Sequence, residues 1–146
     1  MKSKRKDLNS ILFVCNINSI RSPMAESILK VWFDKKIFID SCGIREGKID
    51  HMAVEVMAED NFDLSNHNSK LFSSLQDTSF DLIITFTKEA LDEVNTLTKT
   101  QDCEIEYLEI FDASQTTGNR QQRLDSYRQV RDLLKERLNE RFNDYL

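Results

Sequence analysis

Short apolar runs alternate with segments of helical periodicity along the whole chain, and this order restricts the possible folds more than any single residue does. Ile11-Leu12-Phe13-Val14, Ile37-Phe38-Ile39-Asp40-Ser41, Asp81-Leu82-Ile83-Ile84-Thr85-Phe86 and Ile105 to Ile110 read as strands, the last alternating as an edge strand does. Ser22 to about Lys35, His51 to Asp60, Lys88 to about Leu97 and Arg120 to about Phe142 carry apolar residues at helical spacing. In the last of these, Leu124, Tyr127, Val130, Leu134 and Leu138 form one stripe. Strands that alternate with helices require crossover connections. The expected fold is therefore α/β, with a four-stranded, mostly parallel sheet and helices on its faces. The 146 residues suit one domain over 1–146, with residues 1–8 read as a flexible basic tail. Ligands of such sheets bind beyond the carboxyl ends of the strands.

Cys15 falls at one of those ends. A cysteine closes the first apolar run, and Asn16-Ile17-Asn18-Ser19-Ile20-Arg21-Ser22 follows it. Ser22-Pro23-Met24-Ala25-Glu26 reads as a helix start, with a serine cap that can also donate to a Cys15 thiolate, an early proline and an acid in the first turn. Backbone N–H groups in such a loop, with the helix dipole behind them, favour an anion and also a thiolate. Arg21 adds a planar fork able to hold two oxygens of a tetrahedral oxyanion. A buried structural cysteine is the bland alternative for Cys15, and a surface arginine for Arg21. The preceding strand, Asn18 and the Ser-Pro-Met-Ala-Glu continuation weigh against both.

These residues resemble the low-molecular-weight protein tyrosine phosphatase family, including its thioredoxin-coupled arsenate reductase branch. The family loop runs Cys, any residue, Gly, Asn, two variable residues, Arg, Ser, often followed by Pro-Met-Ala-Glu. The resemblance extends over nearly the whole chain and implies a low-molecular-weight phosphatase-like three-layer sandwich. It also implies a phosphatase that hydrolyses phosphate monoesters through a phosphocysteine and uses no metal or other cofactor; with no apolar run long enough for a membrane span or signal peptide, the expected location is cytoplasmic. Cys15, Arg21 and Asp112 would be catalytic, and residues 16–22 would bind phosphate. Asp112, in Ile110-Phe111-Asp112-Ala113-Ser114, takes the place of the family's proton donor, with Ala113 where proline is usual. Asn18, Ser22, Ser41 and His67 take the places of a supporting set in which the asparagine is held in a left-handed conformation. Phosphorylated protein, a small phosphomonoester and inorganic phosphate are the implied partners.

Ile17 departs from the family glycine and is expected to strain the loop if that position needs φ above zero. No aromatic wall stands beside the acid loop or after the second strand, which argues against strict phosphotyrosine specificity. Thr87 and Val94 stand where arsenate reductases keep their relay cysteines. An arsenate reductase must then use an external thiol, and that is one alternative. A phosphate- or phosphoprotein-binding module with degraded catalysis is the other.

Composition restricts the alternatives. A net charge of −5 gives no footprint for nucleic acid, and no apolar stretch is long enough to span a membrane. Three cysteines far apart in sequence argue against a disulfide framework and, with two histidines, against a metal site.

Overall fold

The computed structural model describes residues 7–98 and 103–146; the basic run at residues 2–6 lies outside them. Four strands, β1 (Ser10–Ile17), β2 (Phe38–Arg45), β3 (Leu82–Thr85) and β4 (Glu104–Tyr107), form one sheet in the order β2-β1-β3-β4. Every neighbouring pair is parallel. The helices are α1 (Arg21–Phe33), α2 (His51–Glu59), α3 (Lys88–Thr98) and α4 (Arg120–Phe142).

Alternation along β1 divides the core. Ile11, Phe13 and Cys15 face a cluster containing residues of α1, α2 and α4, while Leu12 and Val14 face one with Ala90 and Val94 of α3. Three layers result, as the alternating apolar runs imply. The α4 stripe of Leu124, Tyr127, Val130, Leu134 and Leu138 is buried throughout.

Several boundaries differ from the sequence reading, each for a physical reason. β1 continues past Cys15 to Ile17, because Ile17 still pairs with Arg45 of β2. β2 does not stop before Gly43 but passes through it to Arg45. A Cβ on Gly43 would lie 2.5 Å from the Asn18 backbone nitrogen, so this glycine permits a close approach of two chains. α1 starts at Arg21 with Ile20 as its N-cap and no side-chain cap. Ser22 is therefore not the cap; its hydroxyl is engaged by Cys15 and Asn18 instead. Glu26 lies beyond the first turn, where there is no acid. α1 ends at Phe33 because Asp34 and Lys35 both adopt positive φ.

An ionic clamp joins α2 to α4. Arg128 and Arg131 of α4 both hold Glu59 at the end of α2. Hydrogen bonding to Arg128 is the first cause that brings the Glu59 carboxyl down to about 2 from its ordinary 4.5. A lowered folded-state value stabilises the fold above the unfolded value, and the contribution fades as pH falls through the folded one. Glu59 is 37% exposed, so solvent screening limits the effect to roughly 1 kcal/mol or less. Glu59→Gln is predicted to lower stability by that amount near neutral pH. The gap between variant and parent should narrow as pH falls from 4.5 toward 2, as read by urea unfolding at stepped pH.

Candidate active site

The loop from Cys15 to Arg21 runs from the end of β1 into the uncapped N-terminus of α1. A pocket of about 150 Å³ opens on it, lined by Cys15, Asn16, Ile17, Ser19, Ile20 and Arg21 of the loop. Arg45, Asp50, Asp112 and Ser114 complete the lining. The structure thus brings Cys15 and Arg21 of this loop together with Asp112, some ninety residues later in the chain. Asn18 and Ser22 do not line the pocket. Both are buried behind it, where they brace the loop rather than face its opening.

The bracing is a continuous set of hydrogen bonds. Asn18 Nδ2 donates to Ser22 Oγ at 2.9 Å and to Ser41 Oγ at 3.0 Å. With both amide protons used, Asn18 Oδ1 accepts, from His67 Nε2 at 2.9 Å and from the Lys70 backbone N–H at 3.2 Å. His67 therefore carries its proton on Nε2. Ser41 Oγ in turn donates to the buried Glu26 carboxylate. Ser22 Oγ, having accepted from Asn18, has one proton to share between Cys15 Sγ at 2.7 Å and the Cys42 carbonyl at 3.3 Å. Among the described residues no buried side-chain nitrogen or oxygen lacks a partner.

Asn18 reaches these partners without the expected left-handed backbone. Positive φ among the described residues occurs only at Asp34, Lys35, Asn61 and Gly118. Ile17 is likewise in ordinary strand geometry, so the expected strain is absent. Its side chain packs instead over Gly47, where an added Cβ would lie 2.0 Å from Ile17 Cγ2.

Two opposed influences act on Cys15. Burial is the larger and pushes the thiol up from its ordinary value. The Ser22 hydroxyl, the backbone N–H groups of Ser22 and Ser19, and the Arg21 charge pull it down. The sequence expectation of a favoured thiolate covered only the second set. His67 is pulled down by burial, with Glu26 opposing.

Arg21 bridges to the acid loop. It donates from one terminal nitrogen to the Ile110 carbonyl at 2.8 Å, and the other lies 3.9 Å from Asp112 Oδ2. Asp112 Oδ1 accepts from the Ser114 backbone N–H at 2.9 Å and from its hydroxyl at 2.7 Å. These bonds cap a short 3₁₀ turn, Ala113–Gln115, and hold the carboxylate where proline is missing.

The sequence reading missed Arg45, Asp50 and Ser114. Asp50 had a usable signal, as an Asp directly before a helical pattern. It caps α2, accepts from Tyr127 Oη at 2.9 Å, and its backbone N–H donates to the Ser19 carbonyl at 3.0 Å. Burial and the Asp50 carboxylate push the Tyr127 phenol up, so it remains a donor. Arg45 follows only from strand register, opposite Ile17. Thr87, at the start of α3, donates to Asn16 Oδ1 at 2.6 Å. Cys42 lies in the cluster on the other face of the sheet from Cys15, and Cys103 packs against that same cluster.

Residues 10–144 match the family of low molecular weight phosphotyrosine protein phosphatases. Arsenate reductase 1 of Staphylococcus haemolyticus is 36% identical over 86 residues, which make up 59% of this chain and 65% of that protein. The chain thus spans just under two thirds of that relative's length. The tyrosine phosphatase amsI of Erwinia amylovora has a similar fold, with a TM-score of 0.77 at 24% identity over 92% of this chain and 91% of that one. An arsenate reductase solved in a phosphate binding state gives a TM-score of 0.75 at 25% identity, over 95% of this chain and all of the other.

The contact of Ile17 with Gly47 carries a prediction. Gly47→Ala should push the exposed Ile17 side chain off its rotamer, at a cost of about 0.5–1.5 kcal/mol. In an Ile17→Ala background the same change should cost little, because the Ile17 Cβ lies 3.5 Å from the added atom, an ordinary contact. A double-mutant cycle in denaturant measures this coupling.

Proposed function

The chain belongs to the low molecular weight phosphotyrosine protein phosphatase family, and from that premise we propose that it is a phosphatase acting on phosphate monoesters through a phosphocysteine. The observation that carries this reading is the convergence of Cys15, Arg21 and Asp112 on one small pocket. Cys15 thiolate attacks phosphorus from the base of the pocket, aided by the proton donors around its sulfur. Asp112 gives its proton to the leaving oxygen. Its Oδ1 is held as an acceptor by Ser114, so the proton resides on Oδ2. Loop N–H groups, the α1 dipole and Arg21 stabilise the charge on the equatorial oxygens. Water then attacks the phosphocysteine, Asp112 takes a proton from it, and phosphate and thiolate are released.

The lining contains no aromatic residue to sandwich a phenyl ring. The phosphoresidue is accordingly left broad, with phosphotyrosine, phosphoarginine or another monoester as candidates. A second reading, arsenate reduction, is favoured by the curated relative's name. Against an internal relay stand Thr87 and Val94 and the packing of Cys42 and Cys103 with the cluster on the far face. Arsenate bound to Cys15 would therefore need an external thiol as reductant. Arsenate-dependent oxidation of a small thiol exceeding phosphatase turnover would select this reading.

Cys15→Ser is predicted to abolish hydrolysis of para-nitrophenyl phosphate, and retained turnover would overturn the proposal. Arg21→Lys keeps the charge but loses the planar fork, and should lower kcat by roughly 10²-fold or more. Asp112→Asn keeps an acceptor for Ser114 but loses the transferable proton. Its loss should be greatest with alkyl phosphates, on the order of 10²-fold or more, and smaller with para-nitrophenyl phosphate. Equal loss across leaving groups would assign Asp112 a purely structural role.

A further inference from the structure

A groove of about 550 Å³ adjoins the pocket, and the two share Arg45. The boundary between them is thin. Arg45 pairs with Ile17 across β1 and β2, and Ile17 packs on Gly47 in the wall of the groove. Arg45, Lys48 and Lys70 bring cations to this groove, and Glu46 is its single acid. That balance runs against the net charge of −5 for the whole chain. Ser69 and Ser74 add hydroxyl groups.

The groove is built onto the loop that holds Cys15. Ser69 Oγ donates to the Asn18 carbonyl, the Lys70 N–H donates to Asn18 Oδ1, and the Gly43 N–H donates to the Lys70 carbonyl at 2.8 Å. These bonds fix the distance between groove and pocket. The cations remain exchangeable. Arg45 pairs with Glu89, and Lys70 pairs with Asp40 at 2.6 Å, but both basic side chains are more than a third exposed. Such pairs contribute little and give way to a competing anion. Lys48 makes no ion pair among the described residues. The pocket itself is also lined by the carboxylates Asp50 and Asp112. Negative charge on a substrate beyond the phosphoryl group is thus matched by the groove rather than by the pocket.

We propose that this groove is a second subsite, which takes an Asp or Glu side chain next to the phosphoresidue, so that the preferred substrate is an acidic segment of a phosphoprotein. The inference rests on the phosphatase reading for the identity of the first anion. The groove's volume is that of a pocket for a ligand much larger than one carboxylate. A stretch of polypeptide fits it better than a second small anion.

Binding to the Cys15→Ser protein tests the subsite without relying on turnover. The probes are phosphotyrosine hexapeptides with Glu or Gln on either side of the phosphoresidue, titrated calorimetrically at low and moderate salt. The Glu peptide should bind about fivefold tighter or more at low salt, with the advantage shrinking as salt rises. Lys48→Gln should reduce the advantage, and Lys48→Gln with Arg45→Gln should remove it. Equal binding of the two peptides, a preference that survives the double variant, or no binding of either would overturn the proposal. A phosphonate bearing one extra carboxylate that binds as tightly as the Glu peptide would overturn the assignment to protein. Hydrolysis of para-nitrophenyl phosphate by the unmodified enzyme is read separately. If it is absent while the Glu preference holds, the phosphatase reading fails and the subsite stands.

Discussion

The side-chain amide of Asn18 holds the site together. Its nitrogen serves Ser22 on α1 and Ser41 on β2, and its oxygen serves His67 and the Lys70 backbone. Four segments of the chain meet at one buried group, and each of its hydrogen-bonding atoms has a partner. Removing a partner would leave a buried polar atom unpaired, at a cost of about 1–3 kcal/mol. The loop therefore has one arrangement, in which the Ser22 hydroxyl lies beside Cys15 Sγ. Glycine at position 43 is part of the same constraint, since the strand and the loop approach there more closely than any side chain permits.

From this hub the constraint spreads outward. Arg21 carries it to the acid loop through the Ile110 carbonyl, and Ser114 fixes Asp112 on the far side. Asp50 carries it to α4, since one residue bonds the Ser19 carbonyl, caps α2 and receives the Tyr127 hydroxyl. The apolar face of α4 thus does more than fill the core, because it places Tyr127 beneath the rim of the pocket. Lys70 and Ser69 carry the same constraint into the basic groove. Burial opposes the thiolate, and these oriented donors offset part of that effect. Such a balance makes the reactivity of Cys15 a property of the whole loop rather than of one contact.

Much of this was legible in the sequence, because apolar periodicity reports which face of an element is buried. The four strands, the four helices and the edge position of β4 follow from it, and Arg120 to Phe142 matches the observed α4. What periodicity does not report is how two elements approach each other. The second strand read as ending at Ser41, yet it runs on through Gly43, a close-contact site within β2. Ser22 read as a cap that could also serve the Cys15 thiolate; it does not cap, and it does contact Cys15. Ile17 read as a source of strain, yet it lies in strand geometry and rests on Gly47, a residue far along the chain. Arg45 was invisible because its place depends on register between β1 and β2. Asp112 was found by its position after a strand, but the replacement of proline by Ser114 hydrogen bonds required coordinates.

The account stands or falls on a covalent phosphoenzyme at Cys15, and trapping that species tests it most directly. The protein is mixed with para-nitrophenyl phosphate, quenched in acid within the first turnover, and analysed by intact mass and peptide mapping. The account predicts a burst of para-nitrophenolate approaching one equivalent, with a single phosphoryl group on the peptide that contains Cys15. Turnover that leaves Cys15 unmodified, or phosphate carried on any other residue, would contradict it.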